Sequence, residues 1–180
     1  MTNPFPGLAA FQAPPRLETP RLLLRFFEER DLDALAAINA DAETVRYLGE
    51  GKTFTRAETW RGIATMNGHW MLKGYGMWAV ETKAAGEMIG RVGFYNPDGW
   101  PGFELGWTIA RPKWGQGFAT EAALAARDYG LHVLGQKRII SLIRHANVRS
   151  IGVAERLGFQ PEGELELLGS GCLVYANAPA

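Results

Sequence analysis

One stretch decides the fold of this chain: Arg111-Pro112-Lys113-Trp114-Gly115-Gln116-Gly117-Phe118-Ala119-Thr120-Glu121-Ala122. A strand-like run, Phe103 to Ile109, precedes it, and a long alanine-rich helical run follows it. Gly115 and Gly117 lie where that helix is predicted to begin. The first turn of a helix leaves backbone N–H groups without partners, and the helix dipole makes that end positive. Because glycine lets the backbone approach a ligand closely, the stretch predicts a cradle for a phosphate or pyrophosphate.

Two common phosphate-binding loops do not match this stretch. A Walker A loop requires Gly-Lys-Ser/Thr after four intervening residues, and that sequence is absent. The dinucleotide fingerprint requires a third glycine three residues after the second, where this chain has Thr120. An ordinary tight strand-to-helix loop is the alternative to a phosphate-binding loop, and the choice between them depends on the rest of the sequence.

Composition restricts the class of protein. The chain has 180 residues, which indicates one domain, and 47% are hydrophobic, which is enough for a sizeable core. Lys plus Arg and Asp plus Glu both total 19, so nothing favours nucleic acid as a partner. The only cysteine, Cys172, cannot form an internal disulfide, the three histidines are scattered, and no apolar run has the length of a membrane span. Because the sequence has no signal peptide, the protein is predicted to be cytoplasmic. Because the histidines are scattered, no metal site is predicted.

The first half of the chain alternates between predicted helices and strands. Residues 1–16 contain four prolines and are predicted to be a flexible leader, with a single domain over 17–180. Strands are predicted from Thr19 to Phe26 and over a hairpin whose arms are 77–81 and 88–95. A helix is predicted to begin at Asp31, a short helical segment around 45–48, and a helix from the capping box Thr55-x-x-Glu58 to about Leu72.

The second half contains a predicted parallel unit. After the glycine loop, small and apolar residues recur at helical spacing as far as Leu134, and Gly135 is the predicted stop. The next strand, 138–143, is almost continuously apolar, so strand, helix and strand form a βαβ unit with parallel strands. A short helix capped by Asn147 ends at Gly158, and a hairpin, 164–168 with 172–175, closes the chain.

Two motifs carry a family resemblance. Trp114-Gly115-Gln116-Gly117-Phe118-Ala119 resembles the acyl-CoA pyrophosphate loop of GNAT acetyltransferases, Gln/Arg-x-x-Gly-x-Gly/Ala, with Trp114 in place of Gln/Arg. The segment from Asn147 to Phe159 resembles a second GNAT segment, Asn-x-x-Ser-x-x-Val-x-Glu-Lys/Arg-x-Gly-Phe. The two occur in the family's order, with a strand between them. The tryptophan is similar to that of the RimJ/RimL-like branch, whose named members acetylate N-terminal amines of ribosomal proteins.

The resemblance implies an α/β GNAT fold. In that fold a mixed, mostly antiparallel sheet has a central parallel βαβ unit that binds acetyl-CoA. It also implies an N-acetyltransferase, an acyltransferase that carries acetyl rather than aminoacyl groups. The acetyl group passes directly from acetyl-CoA, as co-substrate, to a primary amine of a peptide N-terminus or a small molecule. An acyl-CoA-binding sensor or interaction module without transfer activity is the alternative. The implied partners are acetyl-CoA and the amine, with neither nucleic acid nor membrane, and a homodimer is left open.

The resemblance also assigns cofactor contacts. Backbone N–H groups of the glycine loop are expected to hold the CoA pyrophosphate. The strand that ends at Ile109 is expected to pair with the pantetheine arm, and Asn147 to hydrogen-bond that arm as well as to cap its helix. Lys113, Arg144 and Arg149 are candidates for phosphate contacts at the rim. The full predicted set is Ile109, Trp114, Gly115, Gln116, Gly117, Phe118, Ala119, Thr120, Asn147 and Ser150.

Two residues are candidates for catalysis. In the RimL-like pattern, a glutamate at the position of Glu104 is proposed to deprotonate the amine through water; a solvated strand carboxylate is the alternative. Ser150 is the candidate acid or thiolate partner, with a first-turn helix serine as the alternative. Many GNAT enzymes have a tyrosine acid where this chain has Ala154, so the acid is open between Ser150 and water. Trp100 is a candidate for the wall of an acceptor groove.

Overall fold

The computed structural model describes residues 14–177. Residues 1–13, most of the predicted leader, lie outside the described residues. The strands are β1 Leu17–Glu18, β2 Leu22–Arg25, β3 Met77–Thr82, β4 Glu87–Tyr95, β5 Glu104–Ile109, β6 Ile140–Arg144, β7 Phe159–Leu167 and β8 Ser170–Asn177. The α-helices are α1 Leu32–Ala40, α2 Ala42–Val45, α3 Arg56–Lys73, α4 Phe118–His132 and α5 Val148–Arg156.

The strands form one sheet in the order β1-β2-β3-β4-β5-β6-β8-β7. Every neighbouring pair is antiparallel except β5 and β6, which run parallel and are joined through α4. The predicted GNAT fold, a mostly antiparallel sheet with a central parallel βαβ unit, is therefore confirmed.

The sheet has a helical layer on each face. On one face, α4 packs on β4 and β5, and α5 packs on β6 and β7. On the other face, α1 packs on β4 and α3, and α3 packs on β3. Each layer covers its own hydrophobic cluster, one built around Trp78, Phe94 and Leu105 and the other around Leu35 and Met77.

Small residues allow α4 to lie close to the sheet. Ala122, Ala123 and Ala126 are fully buried in the interface, as their spacing predicts. A Cβ atom added at Gly130 would lie 2.6 Å from Phe94 Cζ, so this position has no room for a side chain. The helix ends at His132, earlier than its periodicity predicts, and Gly135 follows with a positive φ of 65°.

The helices predicted in the first half of the chain are partly confirmed. The capping box of α3 forms as predicted: Glu58 N donates to Thr55 Oγ1 and Thr55 N to a Glu58 carboxylate oxygen. The short helix comes earlier than the predicted 45–48, because Asp41 accepts a hydrogen bond from Glu43 N and so begins α2 at Ala42. At the end of the predicted leader, the carbonyl of Pro15 accepts a 2.8 Å hydrogen bond from Trp78 Nε1.

A buried ion pair joins β2 to the start of α1. The α-helix begins at Leu32, one residue after the predicted start at Asp31, and the Asp31 carboxylate does not cap it. The carboxylate accepts a 2.8 Å hydrogen bond from Glu28 N across the preceding 3-10 turn. It also accepts two hydrogen bonds from the Arg25 guanidinium, at 2.7 and 2.6 Å, and both side chains are almost fully buried. Arg25 Nε also donates to Glu81 on β3 at 2.8 Å. These bonds raise the pKa of Arg25 despite its burial, so the guanidinium stays charged.

We expect Asp31→Ala to destabilise the protein strongly, because it leaves the buried Arg25 charge with only Glu81. Breaking a buried pair from one side costs about 3–5 kcal/mol. The matched control is Asp33→Ala on the same helix, since Asp33 is 83% exposed and pairs with an exposed arginine. That change should cost about 0–1 kcal/mol. Urea unfolding measures both free energies; equal values for the two variants would contradict the structural role of the buried pair.

Candidate active site

The two parallel strands pair only where they begin. Glu104 on β5 pairs with Ile140 on β6, and Ile140 N donates to Phe103 O at 2.9 Å. Ser141 Oγ adds a 2.7 Å hydrogen bond to Leu105 O. No later residue of β5 has a backbone partner on β6 among the described residues. The C-terminal halves of the strands therefore leave backbone groups available beside an opening in the sheet.

The glycine loop leads into a helix start without a side-chain cap. Gly115 and Gly117 have positive φ angles, 73° and 80°, which explains why glycine stands at both positions. Gly117 is the N-cap of α4 and supplies no side chain. The first helical hydrogen bond runs from Glu121 N to Gly117 O, so the N–H groups of residues 118–120 are available to a ligand. An uncapped, positive helix end is suited to an anion.

A set of polar contacts behind the glycine loop was not predicted from the sequence. Arg21 Nη1 donates to Gln116 O at 3.0 Å, and Arg21 Nε donates to Glu121 Oε2 at 2.6 Å. Thr19 Oγ1 donates to the other oxygen of Glu121 at 2.6 Å. The turn before β2 thus holds the loop from outside. A contact across about a hundred positions leaves no local signal in the sequence.

A cavity of about 480 Å³ lies between the loop, the end of β5 and the start of α5. Every predicted cofactor residue except Gln116 lines it; the carbonyl of Gln116 is bonded to Arg21 instead. The other side of the cavity is formed by α2 and the turn after it. Its lining is Glu43, Thr44, Tyr47, Leu48, Trp107, Thr108, Ile109, Lys113, Trp114, Gly115, Gly117, Phe118, Ala119, Thr120, Asn147, Arg149, Ser150, Val153 and Arg156.

Trp114 connects three walls of this cavity. Its Nε1 donates to Ile109 O at 2.6 Å, and the Arg149 guanidinium lies 4.5 Å from the ring centroid. Arg149 also forms a 3.6 Å ion pair with Glu43 on α2. The residue that departs from the usual Gln/Arg of the motif therefore ties the loop to the end of β5 and supports a cation at the rim.

A second cavity, of about 390 Å³, lies beside the first one. Its lining includes Glu104, Trp100 and Tyr95, together with Arg91 and Arg144. The residues that line both cavities are Tyr47, Leu48, Trp107, Thr108, Asn147 and Ser150. The two cavities therefore meet at the end of β5.

Glu104 is partly buried in the wall of the second cavity. Its Oε2 accepts a 2.7 Å hydrogen bond from Trp100 Nε1, and Oε1 accepts a longer one, 3.4 Å, from Leu142 N. Burial raises the pKa of this carboxyl to about 7, against the opposing effects of the two hydrogen bonds and of the Arg91 charge. A carboxyl with a pKa near neutrality exchanges protons readily at physiological pH.

Ser150 lies at the junction of the cavities. Its hydroxyl oxygen accepts a 3.3 Å hydrogen bond from Trp107 Nε1, and its backbone N–H donates to Asn147 Oδ1, also at 3.3 Å. Asn147 thus caps α5 as predicted. A hydroxyl has one hydrogen to donate. Because Trp107 uses an acceptor site of Ser150, the hydroxyl hydrogen is left for another partner.

This geometry agrees with the comparisons with known proteins. The family model described as the GNAT acetyltransferase domain matches residues 21–160. The chain belongs to the GNAT acetyltransferase family. It is an N-acetyltransferase, and the family chemistry is acetyl transfer from acetyl-CoA to an amine.

Relatives and solved structures agree with this assignment. The uncharacterized N-acetyltransferase p20 of Bacillus licheniformis is 34% identical over 151 residues, which are 83% of this chain and 84% of p20. An acetyltransferase structure from Agrobacterium tumefaciens has a TM-score of 0.82 and 28% identity, and the match covers 95% of this chain and 98% of that one. RimL, the ribosomal L7/L12 α-N-protein acetyltransferase solved with coenzyme A, has a TM-score of 0.77 at 21% identity, with 91% and 97% covered. The RimL likeness concerns the fold.

Other predicted residues of this GNAT protein fall on different sides of the site. Lys113 and Arg149 line the first cavity, but Arg144 lines the second and donates to Gly49 O at 2.6 Å. Trp100 lines the second cavity. Ala154, where many family members have a tyrosine, is fully buried in the core. Its position offers no polar group to the junction.

Within residues 14–177, no group of three or more His, Cys, Asp or Glu side chains is arranged to hold a metal ion. Within the same residues, no helix is both long enough and apolar enough to cross a membrane.

Proposed function

We propose that this GNAT protein acetylates a primary amine by direct attack on acetyl-CoA, with Glu104 as the general base. The observation that carries the proposal is the junction of the two cavities at the end of β5. One cavity has an uncapped helix end suited to a pyrophosphate, and the other has a carboxyl with a pKa near 7. A single-domain enzyme of the RimJ/RimL-like branch is the assignment that the Trp114 motif supports.

The first cavity has the features that acetyl-CoA requires. Free N–H groups at the start of α4 fit the pyrophosphate. Lys113 and Arg149 line the rim, where Lys113 pairs with Glu87 at 2.7 Å and Arg149 with Glu43 at 3.6 Å, and either cation can turn to a phosphate. A Cβ atom built at Gly115 would meet no other atom, so a ligand can approach the backbone there. The C-terminal half of β5 pairs with β4 but not with β6, so its edge towards β6 can hydrogen-bond an extended amide chain such as pantetheine. Asn147 stands beside that path.

Glu104 is suited to removing a proton from the acceptor. An α-amine has a pKa of about 8 and a lysine-type amine of about 10.4, so most of the acceptor enters as an ammonium that cannot attack. Acetyl-CoA supplies an activated acyl group at the junction of the cavities. Glu104, ionised above its pKa of about 7, takes the ammonium proton through water, and the neutral nitrogen is then able to form the new bond to the acyl carbon.

Ser150 is the group we propose for the departing sulfur. When the nitrogen–carbon bond forms, the carbon–sulfur bond breaks and negative charge develops on the sulfur. The Ser150 hydroxyl lies where the cavities meet, and Trp107 orients it while leaving its hydrogen free. A hydrogen bond or a proton from this hydroxyl stabilises the leaving group, and Ala154 cannot do so. The attached nitrogen, which carries one proton more than the amide product, loses that proton to solvent or, where the hydroxyl has protonated the sulfur, back to Ser150.

Charge at the second residue of α4 tests the cofactor cradle. Ala119→Glu places a carboxylate near the proposed pyrophosphate, where it repels the ligand but suits the positive helix end. We expect the Kd for CoA, measured by calorimetry, to rise about tenfold or more relative to the neutral, equally sized Ala119→Gln. Ala57→Glu, at the second residue of α3, is the matched control and should leave the Kd unchanged. Equal affinities for the Ala119→Glu and Ala119→Gln variants would refute the cradle.

Replacing Glu104 tests the base. We expect Glu104→Gln to lower kcat/KM by about 10²-fold or more at neutral pH, because the side chain keeps its size but cannot take a proton. In the wild type, kcat/KM should rise with pH through about 7 as Glu104 ionises, and the variant should lose that rise. Higher pH should partly restore the variant, since more acceptor is then neutral. CoA affinity is the control for folding, and near-wild-type turnover would remove Glu104 from the mechanism.

Replacing Ser150 separates a chemical role from a structural one. If the hydroxyl assists departure of the sulfur, Ser150→Ala should lower kcat by about 10–10²-fold and change the KM for acetyl-CoA much less. Ser150→Thr keeps the hydroxyl and should retain more activity. A thioester whose thiol is more acidic should reduce the defect, because its sulfur needs less help. A lower melting temperature with unchanged kcat would mean that Ser150 only supports α5.

A further inference from the structure

The second cavity contains more positive than negative side-chain charge. Its charged lining residues are Arg91, Arg144 and Glu104. Glu104, in the mechanism proposed above, alternates between a neutral and a negative form. The cavity that faces the acceptor therefore has two permanent cations and at most one carboxylate. That balance is unfavourable for a polycation such as a polyamine, whose extra ammonium groups need carboxylates.

Arg91 faces this cavity without an anionic partner. It pairs with Thr108 across β4 and β5, so its side chain leaves the same face of the sheet as Glu104. Its hydrogen bond is to Met66 Sδ, 3.6 Å from Nη1, a weak acceptor, and it makes no ion pair with any described residue. Burial lowers its pKa, opposed by the charge of Glu104. A guanidinium in this position is short of acceptors.

Arg144 contributes a second donor that lacks a partner. Its Nη2 donates to Gly49 O at 2.6 Å, which joins two residues of the cavity lining. Its Nη1 is buried and has no acceptor among the described residues. An unsatisfied buried donor costs about 1–3 kcal/mol, and more when it is charged. A small rotation of the guanidinium towards a bound anion would remove that cost.

Two glycines lie between these groups. Gly93 on β4 and Gly106 on β5 are directly opposite each other and separate the Arg91–Thr108 pair from the Tyr95–Glu104 pair. The backbone of Gly76 closes the space above Gly93, but Gly106 lines the cavity, and a Cβ atom there would meet only Met77 Cε, at 3.4 Å. With about 3.3 Å per residue along a strand, the two flanking pairs are about 13 Å apart at the backbone. Long side chains from both ends can therefore reach one small molecule beside Gly106.

We propose that the acceptor is a primary amine that also bears a carboxylate, and that Arg91, assisted by Arg144, binds the carboxylate while the amine meets Glu104. Guanidinium and carboxylate groups form paired, charge-assisted hydrogen bonds that also fix orientation. Binding the acceptor at both ends would bring its nitrogen to the junction with the cofactor cavity. The inference rests on the acetyl transfer proposed above and narrows the acceptor to one chemical class.

The test compares amines that differ only at the far end. Primary amines of equal length, ending in a carboxylate, a carboxamide or a second ammonium, are assayed by CoA release; α-amino acids and their amides form a second matched set. We expect the carboxylates to have the lowest KM. Arg91→Met should raise that KM about tenfold or more and leave the KM of the carboxamides nearly unchanged, with Arg91→Lys intermediate. Arg30→Met, an exposed arginine outside the cavity, is the control.

Three results would contradict the inference, and they are distinguishable. Preference for the diammonium compounds, with acetylation intact, would overturn the carboxylate site and leave the transferase mechanism standing. An equal loss for all end groups in Arg91→Met, with a shifted pH profile, would mean that Arg91 only tunes Glu104. Binding of acetyl-CoA without CoA release from any amine would refute both the acceptor class and the transfer mechanism proposed for this site.

Discussion

The incomplete pairing of β5 with β6 is the constraint on which the site depends. One backbone pair, Glu104 with Ile140, joins the strands at their beginning, and Ser141 strengthens that joint through Leu105 O. Beyond this pair, β5 and β6 separate, while α4 and α5 still cover one face of the sheet. Because the strands part, the backbone groups at the end of β5 are available to a ligand. The same joint fixes Glu104 beside the opening.

Two different electrostatic environments meet at this opening. At the first cavity, the uncapped start of α4 favours an anion. At the second cavity, burial raises the pKa of Glu104 to about 7, against the hydrogen bond from Trp100 and the charge of Arg91. Glu104 lies on β5, and the free N–H groups lie in the first turn of α4. Groups held on a strand and at a helix start are oriented before a ligand binds, and preorganised donors of this kind stabilise developing charge most effectively.

The sequence predicts those parts of the site that depend on local backbone geometry. The glycines at 115 and 117 and the cap at Asn147 are local, and they are where the motifs indicate. Contacts that depend on strand register were not predicted. Arg91 lies in the second cavity because β4 pairs with β5 in a register that places Arg91 opposite Thr108. Arg144 lines the same cavity, which was not predicted because the sequence does not indicate on which side of β6 its side chain lies.

A crystal structure of the protein with bound CoA tests the central claim most directly. The account predicts the pyrophosphate on the N–H groups at the start of α4 and the pantetheine along the edge of β5 that does not pair with β6. The sulfur should lie where Trp107, Thr108 and Ser150 line both cavities, facing the cavity of Glu104. CoA bound elsewhere, or a sulfur that points away from the Glu104 cavity, would contradict the account.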